Sequence, residues 1–286
     1  MEFLNSVKEI VFLGPAGSYS EMAKDFFCKH YELNVVEIPF KTITQVVEYV
    51  DRNENILGVI PVENSIEGAV REAIDCLIKT KQSVSYLAEY IMPIRHCLLS
   101  KGTDINSILG LISHPQAIAQ CLNFIHHNLP KNINLIHTTS TAKAAVLLND
   151  YDFTYSAIGS SKTAELYNLN ILKKDINDDP TNQTRFILIG KYKTDYTGND
   201  KTSLAFSTEN KPGMLLEALK IFQNYNINLS YIDSRPSKIK FGEYTFLVDF
   251  DGHISDEIIS KAIKELRTKT SYFRIVGSYE KLSENL

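Results

Sequence analysis

Over the first two-thirds of the chain, short apolar runs alternate with amphipathic ones. "EIVFLG" leads into "SYSEMAKDFFCKHY", "NILGVIPVE" into "NSIEGAVREAIDCLIKT", "SILGLIS" into "HPQAIAQCLNFIHHN", and "YSAIGS" into "SKTAELYN". A further helix pattern, "TAKAAVLLN", follows the run "INLIHTTS". Near-continuous apolar runs followed by helical periodicity predict an α/β domain with a largely parallel sheet.

The corners between strands and helices share a chemistry. Ser18 precedes Glu21 by three, Asn64 precedes Glu67, and Ser113 precedes Gln116, so each pair is predicted to form a capping box at a helix start. Taken singly, such a cap only stabilises its helix, by roughly 1 kcal/mol. In an open α/β sheet, however, these corners lie along one edge, where free N–H groups and helix dipoles favour anions. Several polar corners on that edge point to an acidic small-molecule ligand.

The alternation breaks twice, at Pro93 within "YLAEYIMPIRHCLLS" and again at "LKKDINDDPTNQTRF". Two such breaks predict two lobes around a cleft, with the chain crossing between them twice. Thr184 and Arg185 then fall on the second crossover and are expected to face the cleft. After the polar stretch "GKYKTDYTGNDKTS" the pattern changes. The runs "SLAFSTE", "PGMLLEALKIFQNYN", "LSYIDSR", "EYTFLVDFD", "DEIISKAIKELRTK" and "YFRIVGSY" give the βαββαβ order of a separate ferredoxin-like domain.

Composition narrows the class. A chain of 286 residues, 44% hydrophobic and 22% charged, is globular and long enough for two domains. The net charge of -4, without a basic stretch interleaved with aromatics, argues against a nucleic-acid partner. The start carries Glu2 and Glu9 where a signal peptide wants positive charge, and no segment approaches a membrane span, so a soluble cytosolic protein with no membrane partner is expected. Cys28, Cys76, Cys97 and Cys121 are far apart and read as buried free thiols. The seven histidines show no ligand spacing, and neither a metal nor another cofactor is expected.

Seven motifs, "GPAGSYSEMA", "PVENSIEGAV", "SHPQAIAQC", "TSTAKAA", "TRF", "PGML" and "DSRP", stand in the order and approximate spacing of the prephenate dehydratase family with its ACT regulatory domain. The resemblance spans about residues 8 to 280. It departs at Ser18, where the family usually has Thr, at Met214, where Ala is usual, and at Asp233, where Glu is usual. With no chorismate mutase segment before residue 8, the chain resembles the monofunctional form. The implied fold is a two-lobed periplasmic-binding-protein-like (type II) α/β catalytic domain plus a C-terminal ferredoxin-like βαββαβ ACT domain. The first would span residues 1–193, with lobe one about 1–90 plus 176–193 and lobe two about 91–175. The second would span 202–286.

The implied reaction is the decarboxylating dehydration of prephenate to phenylpyruvate. Thr184 is the candidate donor to the departing hydroxyl, with Arg185 stabilising negative charge beside it. Substrate contacts are assigned to Ser18, Asn64, Ser65 and Thr141, and to Ser113, Gln116 and Gln120, whose i, i+3, i+7 spacing puts them on one helix face. Glu63 could orient a donor or form a structural salt bridge. His114 is an alternative acid or simply a helix-start residue.

L-phenylalanine is the implied allosteric inhibitor. Its site is expected where two chains meet, between Gly213, Met214 and Leu215 on one side and Asn228, Asp233, Ser234, Arg235 and Pro236 on the other. That implies a homodimer or homotetramer with ACT–ACT contacts, and Met214 implies weaker sensitivity than usual. Arogenate dehydratase remains as a second enzyme reading. A non-catalytic amino-acid or anion sensor remains as a reading from another class.

Overall fold

The structure is a computed structural model that describes residues 2–80, 84–237 and 242–283. Met1 and residues 284–286, at the outer ends of the two expected domains, lie outside the described residues. So do 81–83 and 238–241.

Lobe one opens with β1 (Glu9–Leu13), α1 (Tyr19–His30), β2 (Val36–Phe40), α2 (Ile43–Arg52), β3 (Ile56–Asn64), the two-residue β4 (Gly68–Ala69), α3 (Arg71–Lys79) and β5 (Ser85–Pro93). Alternation along β1 shows how its sheet is covered. Ile10 and Phe12 bury against α1 with Phe27, whereas Val11 faces the opposite layer with Val46, Val47 and Val50 of α2. Ser18 and Thr42 start these helices, each side-chain oxygen accepting a backbone N–H three residues on.

Residues 94–96 cross to lobe two, which comprises β6 (Cys97–Ser100), β7 (Gly110–Ser113), α4 (Pro115–Ala119), α5 (Leu122–Asn128), β8 (Asn134–His137), α6 (Thr141–Leu147), β9 (Tyr155–Gly159), α7 (Ser161–Leu166) and β10 (Asn170–Lys173). Its strands form a sheet in the order β10-β6-β9-β7-β8. Residues 174–182 return the chain, and β11 (Gln183–Gly190) inserts antiparallel between β3 and β5.

The C-terminal domain follows as β12 (Asp200–Ser207), α8 (Met214–Asn224), β13 (Leu229–Pro236), β14 (Tyr244–Asp251), α9 (Glu257–Thr268) and β15 (Tyr272–Leu282). Helices α8 and α9 cover one face of its sheet through Ala218, Phe222, Ile259 and Leu266. The other face, with Ala205, Leu247 and Val276, shares a core with Ile74 and Leu77 of α3. The expected separate domain is therefore not merely tethered. β15 pairs parallel with β5, and one sheet runs β13-β14-β12-β15-β5-β11-β3-β1-β2 through both domains. Gly277 permits this approach, since a Cβ there would lie 2.5 Å from the Tyr86 carbonyl oxygen.

Two predicted helix starts are different in the structure. "NSIEGAV" is not a helix opening: β3 continues to Asn64, turns, and β4 pairs back on it before α3 begins at Arg71. Asn64 accepts from the N–H groups of Ile66 and Glu67, a local turn in place of the helix cap. "HPQAIAQCLNFIHHN" splits into α4 and α5 around Gln120 and Cys121. Its cap is His114 instead of Ser113, which ends β7 and donates from a fully buried hydroxyl to the Ile158 carbonyl.

Candidate active site

Between the lobes lies a cleft of about 260 Å³, near the low end of the range for small-molecule sites. Lobe one supplies Gly14, Ser18, Tyr19 and Ser20 from the β1–α1 corner, and Pro61 and Asn64 from the end of β3. The first crossover supplies Ile94 and His96, and the start of β11, immediately after the second, supplies Thr184 and Phe186. Lobe two supplies His114, Gln116 and Gln120 around α4, and Thr139, Ser140 and Thr141 at the start of α6. Among the described residues this lining contains no Lys, Arg, Asp or Glu. Its polar groups are neutral hydrogen-bonding side chains set among the apolar Leu13, Pro61, Ile94, Ala117 and Phe186, with the N-terminus of the 12-residue α1 at one wall.

At its centre, Thr184 Oγ1 accepts from Asn64 Nδ2 at 2.9 Å. The threonine proton is thereby free for another acceptor. Asn64 Nδ2 also lies 2.8 Å from Asn182 Oδ1, and Asn182 Nδ2 donates to Gln120 Oε1 at 3.0 Å. His96 Nε2 reaches the same Gln120 oxygen at 3.1 Å, while its Nδ1 lies 3.1 Å from the Tyr19 hydroxyl. Burial holds His96 below the ordinary histidine pKa, and the Gln120 hydrogen bond opposes that only in part. His114 is also lowered by burial, partly offset by Glu67.

The sequence points to Thr184, Asn64, Ser18, Gln116, Gln120 and Thr141 as cleft residues, and the fold brings these together. Four others lie elsewhere. Arg185 does not face the cleft, because neighbouring strand residues point to opposite sides of a sheet. Its side chain runs toward the C-terminal domain: Nε donates to Glu89 of β5 at 2.7 Å, and across the junction Nη1 donates to Asp249 at 2.6 Å and Nη2 to Tyr279 at 2.5 Å. Burial works against its charge, but Tyr279, Asp249 and Glu89 outweigh that and raise its pKa well above the usual value. Glu63 belongs to the same cluster, 3.5 Å from Arg185, as the salt-bridge reading has it. Ser65 ties the turn to the second crossover, bonding backbone groups of Gln183 through its N–H and its hydroxyl. Ser113 is buried beneath the cleft and bonds backbone instead.

Tyr19, which stands inside "GPAGSYSEMA" but was given no role, and His96, outside every motif, also line the cleft, with Asn182 buried behind it. Asn182 lies two residues before Thr184 and so could have been noticed by period two, whereas His96 carries no local signal beyond its place at the first crossover.

The expected effector residues fall on two surfaces. Gly213, at φ 85°, starts α8 with Met214 and Leu215 behind it. Asn228, just before β13, and Ser234 and Pro236 on it are exposed. Asp233 and Arg235 turn toward lobe one, where Arg235 Nε donates to Asp75 at 2.9 Å. Four consecutive strand residues cannot share one face, so "DSRP" as a whole does not line a single surface of this chain.

The fold and the cleft together define an α/β domain built to hold a small polar ligand between two lobes, with a βαββαβ module fused to its sheet. Residues 10–194 match the family model described as prephenate dehydratase, and residues 202–268 match that of the ACT domain. The chain belongs to the prephenate dehydratase family. It is 41% identical over 276 residues to the prephenate dehydratase of Methanocaldococcus jannaschii, covering 95% of this chain and 98% of that protein. It is 33% identical over 282 residues to arogenate dehydratase/prephenate dehydratase 2, chloroplastic, of Arabidopsis thaliana, covering 94% of this chain and 72% of that protein. The crystal structure of prephenate dehydratase in complex with L-Phe from Arthrobacter aurescens superposes with a TM-score of 0.86 at 33% identity, covering 95% of this chain and 89% of that one. Among the described residues no helix is long and apolar enough to cross a membrane.

Proposed function

We infer that the chain is a prephenate dehydratase: it converts prephenate to phenylpyruvate, carbon dioxide and water, a lyase reaction in phenylalanine biosynthesis. The observation that carries this reading is the Thr184 hydroxyl, held by Asn64 with its proton uncommitted, in a family-matched cleft of neutral donors.

The chemistry asks little more of the protein than placement. The bond from the ring to its carboxylate breaks, its electron pair enters the ring, and the C–O bond to the ring hydroxyl breaks at the far side. The departing oxygen leaves as water and so needs one proton. A threonine hydroxyl is too weak an acid to be ionised freely near neutral pH. Thr184 therefore acts through a hydrogen bond that strengthens as negative charge grows on the leaving oxygen. Asn64 supports this by occupying the acceptor side of Oγ1. Ser18, Gln116, Gln120 and Thr141 donate to the two substrate carboxylates and the side-chain ketone, and the α1 dipole favours one carboxylate.

The neutral lining also bears on the second reading. Arogenate carries an ammonium group where prephenate has a ketone, and the lining offers no carboxylate to pair with it. Prephenate is the favoured substrate, even though an Arabidopsis relative is named for both activities. Following phenylpyruvate from prephenate and phenylalanine from arogenate with the full-length chain tests this. Prephenate should give the higher kcat/KM, and turnover of arogenate alone would reverse the assignment.

L-phenylalanine is the proposed inhibitor, bound at the ACT domain near Gly213–Leu215 and the exposed side of β13. The named L-Phe complex of the Arthrobacter relative supports it. Asn228, Ser234 and Pro236 remain available to a second copy, in keeping with a homodimer or homotetramer joined through ACT domains. Four free cysteines suit a reducing cytoplasm.

A further inference from the structure

The polarity of the cleft amides is fixed by backbone groups. Ile66 and Glu67 N–H both point at one side-chain atom of Asn64 from 3.0 Å. A backbone N–H can only donate, so that atom is the amide oxygen and the other atom is the donor Nδ2. The Gln183 carbonyl, 3.0 Å from Nδ2, can only accept and gives the same orientation. Nδ2 shares its two hydrogens among three acceptors, the Gln183 carbonyl, Thr184 Oγ1 and Asn182, and since it can donate but not accept, Asn182 must present Oδ1 to it. Asn182 consequently presents its own Nδ2 to Gln120, which must answer with Oε1. One orientation propagates through three amides.

The consequence falls on Gln120. Its oxygen receives Asn182 and His96, which fixes the His96 proton on Nε2. Its Nε2 is buried and has no hydrogen-bond partner among the described residues. A buried donor with nothing to bond costs free energy, and a substrate oxygen would satisfy it. Asn182 itself is 1% exposed and sits on the second crossover, touching lobe one through Asn64 and lobe two through Gln120.

We propose that Asn182 is a positioning residue that turns the Gln120 amide so that its N–H groups, not its carbonyl, are offered to an anionic oxygen of the substrate. The proposal rests on the dehydratase reading above and adds to it the residue that sets the polarity of the lobe-two contact. Asn182 does not touch the reacting atoms. Thr184 keeps its Asn64 bond whatever Asn182 does, since Asn64 is anchored independently on Ile66, Glu67 and Gln183.

The test is steady-state kinetics on Asn182→Leu, Gln120→Leu and the double variant of the full-length chain with prephenate. Asn182→Leu keeps the volume and removes both amide bonds, so KM should rise roughly 10-fold, the effect of losing one aligned hydrogen bond, while kcat stays within about threefold. In the Gln120→Leu background the same change should raise KM less than twofold further, because the group it positions is gone. An unchanged KM in Asn182→Leu, or an effect that multiplies in full with Gln120→Leu, overturns the proposal. Should the Leu variant not fold, Asn182→Ala carries the same cycle. Wild-type turnover separates the two claims: without phenylpyruvate from wild type the dehydratase reading fails, and with it only the role of Asn182 is at issue.

Discussion

Thr184 and Arg185 are adjacent in sequence yet work on opposite faces of β11, one toward the cleft and the other into the C-terminal domain. Strand alternation alone could have separated them, but a two-residue motif was read as one functional unit. The hydroxyls and amides at strand ends were legible because several polar corners recur along one edge of the sheets, although each taken singly is an ordinary helix cap. His96 was not legible, since a lone histidine between two apolar strands carries no local signal, and its partners come from residues 19 and 120. Its lowered pKa carries a sign. From the ordinary 6.5, a depressed folded value means the unfolded chain binds the extra proton first, so stability is complete above 6.5 and is lost as pH falls from there through the folded value. Melting temperature should therefore decline below pH about 6.5. His96→Gln should flatten part of that decline, with His114, lowered in the same way, accounting for the rest. An acid limb identical to wild type would place its origin elsewhere.

Strand–helix order along the chain followed from periodicity, but the sheets are mixed instead of largely parallel, because β5, β6, β10 and β11 pair antiparallel, and "NSIEGAV" and "HPQAIAQCLNFIHHN" are not single helices. What periodicity could not supply was how corners are tied across the cleft. Gly17, at φ 83°, turns its carbonyl toward lobe two, where Thr163 Oγ1 donates to it at 2.8 Å. Tyr167 bonds Ala16 beside it, and Lys162 reaches Asp25 of α1. Helix α7 thus clamps the corner that bears Ser18, a contact made between residues more than 140 positions apart in sequence. Thr163→Val keeps the shape of a fully buried side chain while removing this bond. It should cost about 1 kcal/mol in denaturant unfolding and raise KM for prephenate a few-fold, with kcat less affected. A lower stability with unchanged KM would make the clamp purely structural.

At the scale of the whole molecule, the two domains share a sheet, a hydrophobic core and the buried Arg185 cluster. The sequence indicated two folds in series but not their fusion, because a polar linker gives no hint that β15 will align with β5. Removing the ACT domain would strip β5 of its neighbour and take Asp249 and Tyr279 from Arg185, so point variants of the intact chain are the better probes. Arg185→Leu takes the shared cation from Glu89 and Asp249, and although Lys201 still pairs with Glu89 at 2.7 Å, buried Asp249 loses its Arg185 partner. The variant should lose roughly 3 to 5 kcal/mol of stability, read by urea unfolding, with prephenate KM near wild type in the folded fraction. A stable variant with a raised KM would return Arg185 to the cleft. The central claim is that Thr184 assists departure of the ring hydroxyl in this cleft, and the most direct measurement is the initial rate of phenylpyruvate formation from saturating prephenate by wild type and by Thr184→Val. The expected result is ready turnover by wild type and a roughly 100- to 1,000-fold lower kcat in the variant, at similar KM. A Thr184→Val enzyme within a few-fold of wild type would contradict the account.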